Sequence, residues 1–268
     1  MPVSRSIRLK LAAPIAALCL LPSSAHAGAW TLEAGKGQII MATIISRASK
    51  GFGAHGRPTQ DVVFRKSFAS AYAEYGWNDW LTLIAVPEYA SATSSTAGDA
   101  VEGAKSFAFS GGVRARLLDG SNVLSLQAMA RSAGAFEQDT SFQKKAGEEF
   151  ELRALYGTHF EIFGREGCFD AEVAQRWATG GRPDETPIDL TVMYDIGWQS
   201  QVLLQNFNVI SEGRGKPPFE HYRYHKTAFS VVRPVWRTTS LQLGVFASPA
   251  GQNALVEKGI FLAVWTKF

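Results

Sequence analysis

The chain has 268 residues, 46% of them hydrophobic and 19% charged, enough for one sizeable domain. Its 27 basic residues outnumber its 24 acidic ones by three, and Arg5, Arg8 and Lys10 near the start account for that surplus. The balanced remainder gives no ground for a nucleic-acid partner. No stretch of eighteen unbroken apolar residues follows the start, which excludes a membrane-spanning helix.

Arg5, Arg8 and Lys10 precede a short apolar run over 11–21, and Ala25-His26-Ala27 fits the small-residue rule for leader cleavage. Residues 1–27 therefore read as a secretory signal removed after Ala27. Cys19 follows Leu18 in a poor lipobox, which argues against a lipid anchor. Cys168 is then the one cysteine left, so no intramolecular disulfide forms. An exported chain without a membrane helix leaves two classes, a soluble periplasmic or secreted β-protein and an outer-membrane barrel. Residues 28–36 are expected to form a periplasmic segment and 37–268 a single domain.

From Gly37 onward, alternating segments recur at nearly regular spacing. Strands are predicted at 37–48, 62–76, 80–92, 104–117, 122–134, 149–162, 167–179, 186–197, 199–210, 221–235, 239–248 and 255–268. Their connections alternate between short (76–79, 119–121, 163–166, 197–198, 236–238) and long (49–61, 93–103, 135–148, 180–185, 211–220, 249–254). Short turns on one side and long loops on the other are the signature of an up-and-down transmembrane β-barrel, and about twelve strands is an even number, as such barrels require. A soluble sandwich has no physical reason to sort its loops this way. Both chain ends then fall on the short-turn, periplasmic side.

The second and third strands show the pattern most plainly. Ala69, Ala71, Ala73 and Tyr75 alternate with Ser70, Tyr72 and Glu74. After a tight turn at Gly76, Asn78 and Asp79, Leu81, Leu83, Ala85, Pro87 and Tyr89 alternate with Thr82, Ile84, Val86 and Glu88. Trp77, Trp80, Trp198, Trp236 and Trp265 all lie at or near short-turn ends, where an amphipathic indole suits a membrane–water interface. They are predicted to form a girdle.

Strand alternation also predicts which side chains face inward. On the sixth strand Phe150, Leu152, Ala154, Tyr156, Thr158 and Phe160 should meet lipid, with Glu149, Glu151, Arg153, Gly157, His159 and Glu161 facing the lumen. The same sorting sends Ser110, Arg114 and Arg116 inward on the fourth strand, and Ser125, Gln127 and Arg131 on the fifth. Asp170, Glu172 and Arg176 face in on the seventh, and Asp189, Thr191 and Asp195 on the eighth. The first, ninth and tenth strands sort ambiguously. The candidate pore-lining set is Arg114, Arg116, Arg131, Arg153, Arg176, Glu151, Glu161, Glu172 and Asp189. A cationic track for anionic or hydroxyl-rich solutes and a self-neutralising ladder that braces the wall are both open at this stage.

Other motifs carry little chemistry. Gly51-Phe-Gly-Ala-His-Gly56 matches a nucleotide-loop pattern but lacks the helix that must follow it. His221 and His225 stand about 13 Å apart on an extended strand, too far to share a metal. No serine stands at a convincing cross-strand position for His159. No catalytic residue, cofactor or metal site is assigned, and the chain is not expected to be an enzyme.

The last strand alternates Ile260, Leu262 and Val264 on one face and ends on Phe268, which resembles the sorting signal read by the outer-membrane barrel assembly machinery. Gly28-Ala-Trp-Thr-Leu-Glu-Ala-Gly-Lys-Gly-Gln-Ile-Ile resembles the mature start of XagA-type exopolysaccharide-locus proteins. Glu74-Tyr-Gly-Trp-Asn-Asp-Trp-Leu-Thr-Leu resembles a hairpin of outer-membrane proteins named for the phenol meta-cleavage pathway. These resemblances imply an outer-membrane location, contact with outer-membrane lipid, and a role in exporting or anchoring a surface polysaccharide in a biofilm, with periplasmic or inner-membrane synthesis proteins as partners. The expected function is a channel, with two alternatives: a structural or adhesive barrel plugged by the charge ladder or by 135–148, and an uptake channel for small aromatic solutes.

Overall fold

A strand whose edge is left unpaired in lipid exposes backbone N–H and C=O groups that no water can satisfy. The chain avoids this by pairing its last strand with its first. The computed structural model describes residues 28–96, 102–132, 147–216 and 219–268; the leader expected over 1–27 lies outside them. The strands are β1 (Gly37–Phe52), β2 (Gln60–Asn78), β3 (Leu81–Thr96), β4 (Glu102–Leu118), β5 (Asn122–Arg131), β6 (Glu149–Ile162), β7 (Arg165–Ala178), β8 (Glu185–Gly197), β9 (Ser200–Ser211), β10 (Arg223–Pro234), β11 (Thr239–Gln252), β12 (Ala254–Leu255) and β13 (Lys258–Lys267). The two-residue β12 pairs only with the tip of β1, so the wall is a closed antiparallel barrel of twelve staves. Each matches one predicted strand, with ends shifted by a few residues.

Closure runs through ten Cα pairs between β1 and β13, from Gln38 with Lys267 to Arg47 with Lys258. At the seam, Gly37 N–H donates to the Phe268 carbonyl (2.8 Å) and Phe268 N–H to the Gly37 carbonyl (2.9 Å). The Phe268 ring lies across Gly37, leaving no room there for a Cβ.

Alternation then sorts the side chains. On β11, Leu241, Leu243 and Val245 point outward while Gln242 and Ser248 are buried in the bore. The same outward band runs through Met41, Phe107, Phe150, Leu204, Phe229 and Leu262. An apolar belt encircling the molecule is incompatible with water and fits a hydrocarbon slab.

The short turns carry aromatics at their tips. Phe163-Gly164 and Trp198-Gln199 form two-residue turns with both residues at positive φ, the geometry that matches strand twist. A non-glycine residue in that region costs roughly 1–2 kcal/mol. Phe163 is nevertheless 94% and Trp198 86% exposed, and Trp77, Trp80 and Trp236 are also exposed at this rim. These exposed rings gather at the short-turn rim, where the girdle is expected. Trp265 departs from the predicted girdle: it is 5% exposed and points into the bore, donating from Nε1 to Gln242 Oε1 at 2.9 Å. Its position alternates with the lipid-facing Val264, and that parity outranks closeness to a short turn.

The lipid-facing assignment predicts a depth-dependent penalty for charge. Leu243→Arg, within the apolar belt, should lower unfolding free energy by about 2–4 kcal/mol, and Thr239→Arg, at the strand's periplasmic end, by about 0–1 kcal/mol. Denaturant titration of protein folded into lipid vesicles measures both; equal penalties would contradict the belt.

Candidate functional site: the occupied bore

The bore is divided lengthwise. Its β4–β8 wall carries a continuous ion network. Arg153 Nη1 meets Glu172 at 2.5 Å and Asp189 at 2.6 Å, while its Nε meets Glu151 at 2.8 Å. Arg176 bridges Glu151 (2.7 Å) and Glu185 (2.6 Å). Toward the long-loop end, Arg131 pairs with Glu88 at 2.6 Å, and Arg182 contacts Glu149 and Glu185. Toward the short-turn end, Arg114 pairs with Glu74 at 2.8 Å and donates to Tyr72 and Gln127. Buried charges survive here because each arginine fork meets at least one carboxylate at close range, and Arg114 adds hydrogen bonds to neutral partners.

Of the predicted pore-lining residues, Arg114, Arg131, Arg153, Arg176, Glu151, Glu172 and Asp189 lie in this network. Two do not. Arg116 pairs with Asp119 on the adjoining short turn at 3.2 Å, and Glu161 is exposed at the same rim, opposite Glu166. Both have inward parity but stand too close to the turn to reach the bore. Sequence reasoning missed Arg182, which sits between β7 and β8 rather than in a strand. It also missed a second cluster in which buried Glu257 gathers Lys226 (2.8 Å), Lys66 (3.5 Å) and Ser46.

From β7 round to β1 the lining is mixed, with an apolar cluster among polar groups such as Gln242, Ser230 and Lys226. Cys168, Met193, Leu203, Val232, Ala263 and Trp265 form one buried cluster, flanked by Ile40 and Ala42. Between this cluster and the carboxylates Asp170, Glu172 and Asp189 lies a cavity of about 390 Å³. The ambiguous patterns of the first and ninth strands now have a cause: Ile40, Ala42, Ile44 and Leu203 are apolar yet face inward.

Residues 28–32 enter the periplasmic end of the bore, whereas 33–36 stay exposed at the short-turn rim. The expected periplasmic segment over 28–36 is thus partly inside the barrel. The chain leaves β1 beside Gly76, which exchanges backbone hydrogen bonds with Gly35 and Lys36 at 2.9 Å. It then runs inward past β3: Ala34 N–H donates to Asp79 Oδ1 (2.9 Å), Thr31 Oγ1 to the Asp79 carbonyl (2.8 Å), and Leu32 N–H to Thr82 Oγ1 (3.0 Å). Deeper in, the Trp30 carbonyl accepts from Arg114 Nη1 (3.1 Å), the Ala29 carbonyl from Ser125 Oγ (2.5 Å), and Ala29 N–H donates to Asp170 Oδ2 (2.7 Å). Ala29 is fully buried against Val123 and Leu155. The Trp30 ring sits 4.9 Å from His159 and against Gly157, where a Cβ would collide with it.

Leu155 and Val123 were the available signals for this segment. An apolar residue on an inward face needs something to pack against, and Gly157 beside them marks a close approach. The loop over 135–148, considered above as a plug, falls largely outside the described residues. His221 and His225 engage separate partners, Ser211 and Asn208.

No family model and no curated protein matches the chain. Solved structures do. A COG4313 outer membrane channel from Pseudomonas putida F1 is similar with a TM-score of 0.68 at 12% identity, over 90% of this chain and 98% of that one. The translocator domain of the autotransporter NalP from Neisseria meningitidis gives 0.55 at 11% identity, over 88% and 90%. The NanC porin gives 0.52 at 10% identity, over 86% and 100%. The fold of this chain is that of the outer-membrane β-barrels.

Proposed function

We propose that this protein is an outer-membrane channel held shut by its own N-terminal segment. The observation that carries the reading is that residues 28–32 occupy the periplasmic end of the bore through bonds to β3, β4, β5 and β7, while a cavity remains open beside them. A wall built only for strength would have no use for that cavity. The segment is held by hydrogen bonds and packing rather than by any covalent link to the wall, so it can leave as a unit. Similarity to channel and porin structures supports the same reading. We assign no catalytic role to the bore; the barrel assembly machinery and outer-membrane lipid are its expected partners.

For the solute, the cavity favours a small molecule with an apolar or aromatic body. Cys168, Met193, Leu203 and Trp265 offer surface to a ring or short chain, and Asp170, Glu172, Asp189 and Lys226 across the cavity can meet a polar end. The pairing of every arginine of the network with carboxylate also weakens the cationic-track reading in favour of the bracing ladder. Exopolysaccharide export, implied by the sequence resemblance, would require the whole segment to leave and a glycan to slide past this apolar cluster. A permanently closed structural barrel is favoured only by the filled bore itself.

In planar bilayers, full-length protein should stay mostly closed, and deletion of 28–34 should give sustained conductance at least about tenfold higher in mean current. Equal currents would reject the segment as closure, and a silent deletion variant with a folded barrel would reject the channel. In the open variant, a small aromatic solute should block current and an oligosaccharide should not; the opposite order would favour glycan export.

Arg153 is the shared partner of Glu151, Glu172 and Asp189. Arg153→Ala should therefore cost about 3–5 kcal/mol in unfolding free energy and shift the reversal potential of the open variant toward cations. An unchanged reversal potential would place the ion path away from this ladder.

A further inference from the structure

The outer surface carries a row of cations where the apolar belt gives way to the long loops. Register places Lys258 opposite Arg47, and Arg47 opposite Arg65, on β13, β1 and β2. Thr93 of β3 continues the row beside Arg65. One step toward the periplasm, the next row reads Val245, Ile260, Ile45, Ser67 and Ser91, with Lys105 of β4 at its end. Lys258, Arg47, Arg65 and Lys105 are all exposed and alternate with the inward Glu257, Ser46, Lys66 and Ser106.

Three features set this patch apart from an ordinary solvated face. The charges share one sign and stand directly across from one another on paired strands, an arrangement that destabilises a sheet unless an anion answers it. No ion pair or hydrogen bond joins these four side chains to an acidic residue among the described residues; the nearby Asp61 is taken by Lys50 at 2.5 Å. A groove of about 890 Å³ runs between them, lined by Arg47, Arg65 and Lys258 together with apolar Ile45, Val245 and Ile260. Cations stand at the upper edge, hydroxyls of Ser67, Ser91 and Thr93 beside them, and aliphatic side chains immediately below.

We propose that this groove on β13, β1 and β2 binds a phosphorylated glycolipid of the outer leaflet, with its phosphates on Arg47, Arg65 and Lys258 and its acyl chains against Ile45, Val245 and Ile260. Guanidinium forks take phosphate oxygens two at a time, which a free solvated lysine face does not. The proposal rests on the outer-membrane orientation with long loops outward, but not on the bore conducting. It also answers why so many cations tolerate one another on a lipid-facing seam: the bound lipid completes the charge balance and clamps the strands that close the barrel.

The test uses the full-length barrel refolded in a neutral detergent. Diphosphorylated lipid A should appear as a one-to-one adduct in native mass spectrometry and raise the thermal midpoint by several degrees. Arg47→Ser/Arg65→Ser/Lys258→Ser should lose at least about tenfold in lipid A retention, and Arg65→Ser alone should lose part of it. Dephosphorylated lipid A should be retained no better by wild type than by the triple variant, and inorganic phosphate should neither shift the midpoint nor displace the lipid. Undiminished lipid A retention by the triple variant overturns the site, as does equal retention of the dephosphorylated lipid by wild type; displacement by inorganic phosphate overturns the glycolipid in favour of a simple anion site. Bilayer currents of the triple variant in the background lacking 28–34 should match those of the parent, so failure of the lipid site and failure of the channel are read separately.

Discussion

The hydrogen-bonding demand of a backbone in hydrocarbon governs this molecule. Each unsatisfied N–H or C=O in lipid costs several kcal/mol, so a sheet of this length must close or remain in water. Pairing of β1 with β13 meets that demand, and the Gly37–Phe268 bonds finish the seam. Once the cylinder closes, the two-residue period of a strand dictates the rest. One face of each stave meets lipid, the other meets a bore, and the bore must be solvated, packed or filled.

It is filled unevenly. On the β4–β8 side, arginines and carboxylates neutralise one another in a ladder that ties adjacent staves together. On the β9–β1 side, Leu203, Val232, Ala263 and Trp265 add apolar surface beside Gln205, Lys226 and Gln242. The N-terminal segment settles against the polar side, because its backbone groups need partners and Asp170, Ser125, Arg114 and Thr82 supply them. The segment makes none of these bonds to β9, β10, β11 or β13, and on that side the cavity persists. Closure from within and a residual pocket are thus two results of one asymmetric lining.

The barrel was legible in the sequence because its code is local. Strand length, alternation and the sorting of short from long connections survive without tertiary information, and parity alone placed Arg114, Arg131, Arg153 and Arg176 in the bore. What escaped depends on groups that are distant in the chain. Nearness to a short turn groups Trp265 with the rim indoles, although its parity puts it on the inward face with Gln242. Residues 28–34 have no periodicity of their own, and their place is written in the surfaces that receive them, at Gly157, Leu155 and Val123. Strands with apolar side chains on both faces, such as β1, hide which face is which until the neighbours are known. Arg182 was invisible for a related reason, since a residue between strands has no parity to read.

Strand closure is tested most directly by a disulfide across the seam. Thr43 and Leu262 are Cα partners on β1 and β13 and lie at opposite ends of the barrel sequence. In a Cys168→Ser background, Thr43→Cys/Leu262→Cys should oxidise within one molecule. The unfolded product should then migrate faster than its reduced form, while the folded barrel migrates unchanged. Oxidation that yields only dimers, or no bond in a folded protein, would show that first and last strands do not meet and would contradict the account.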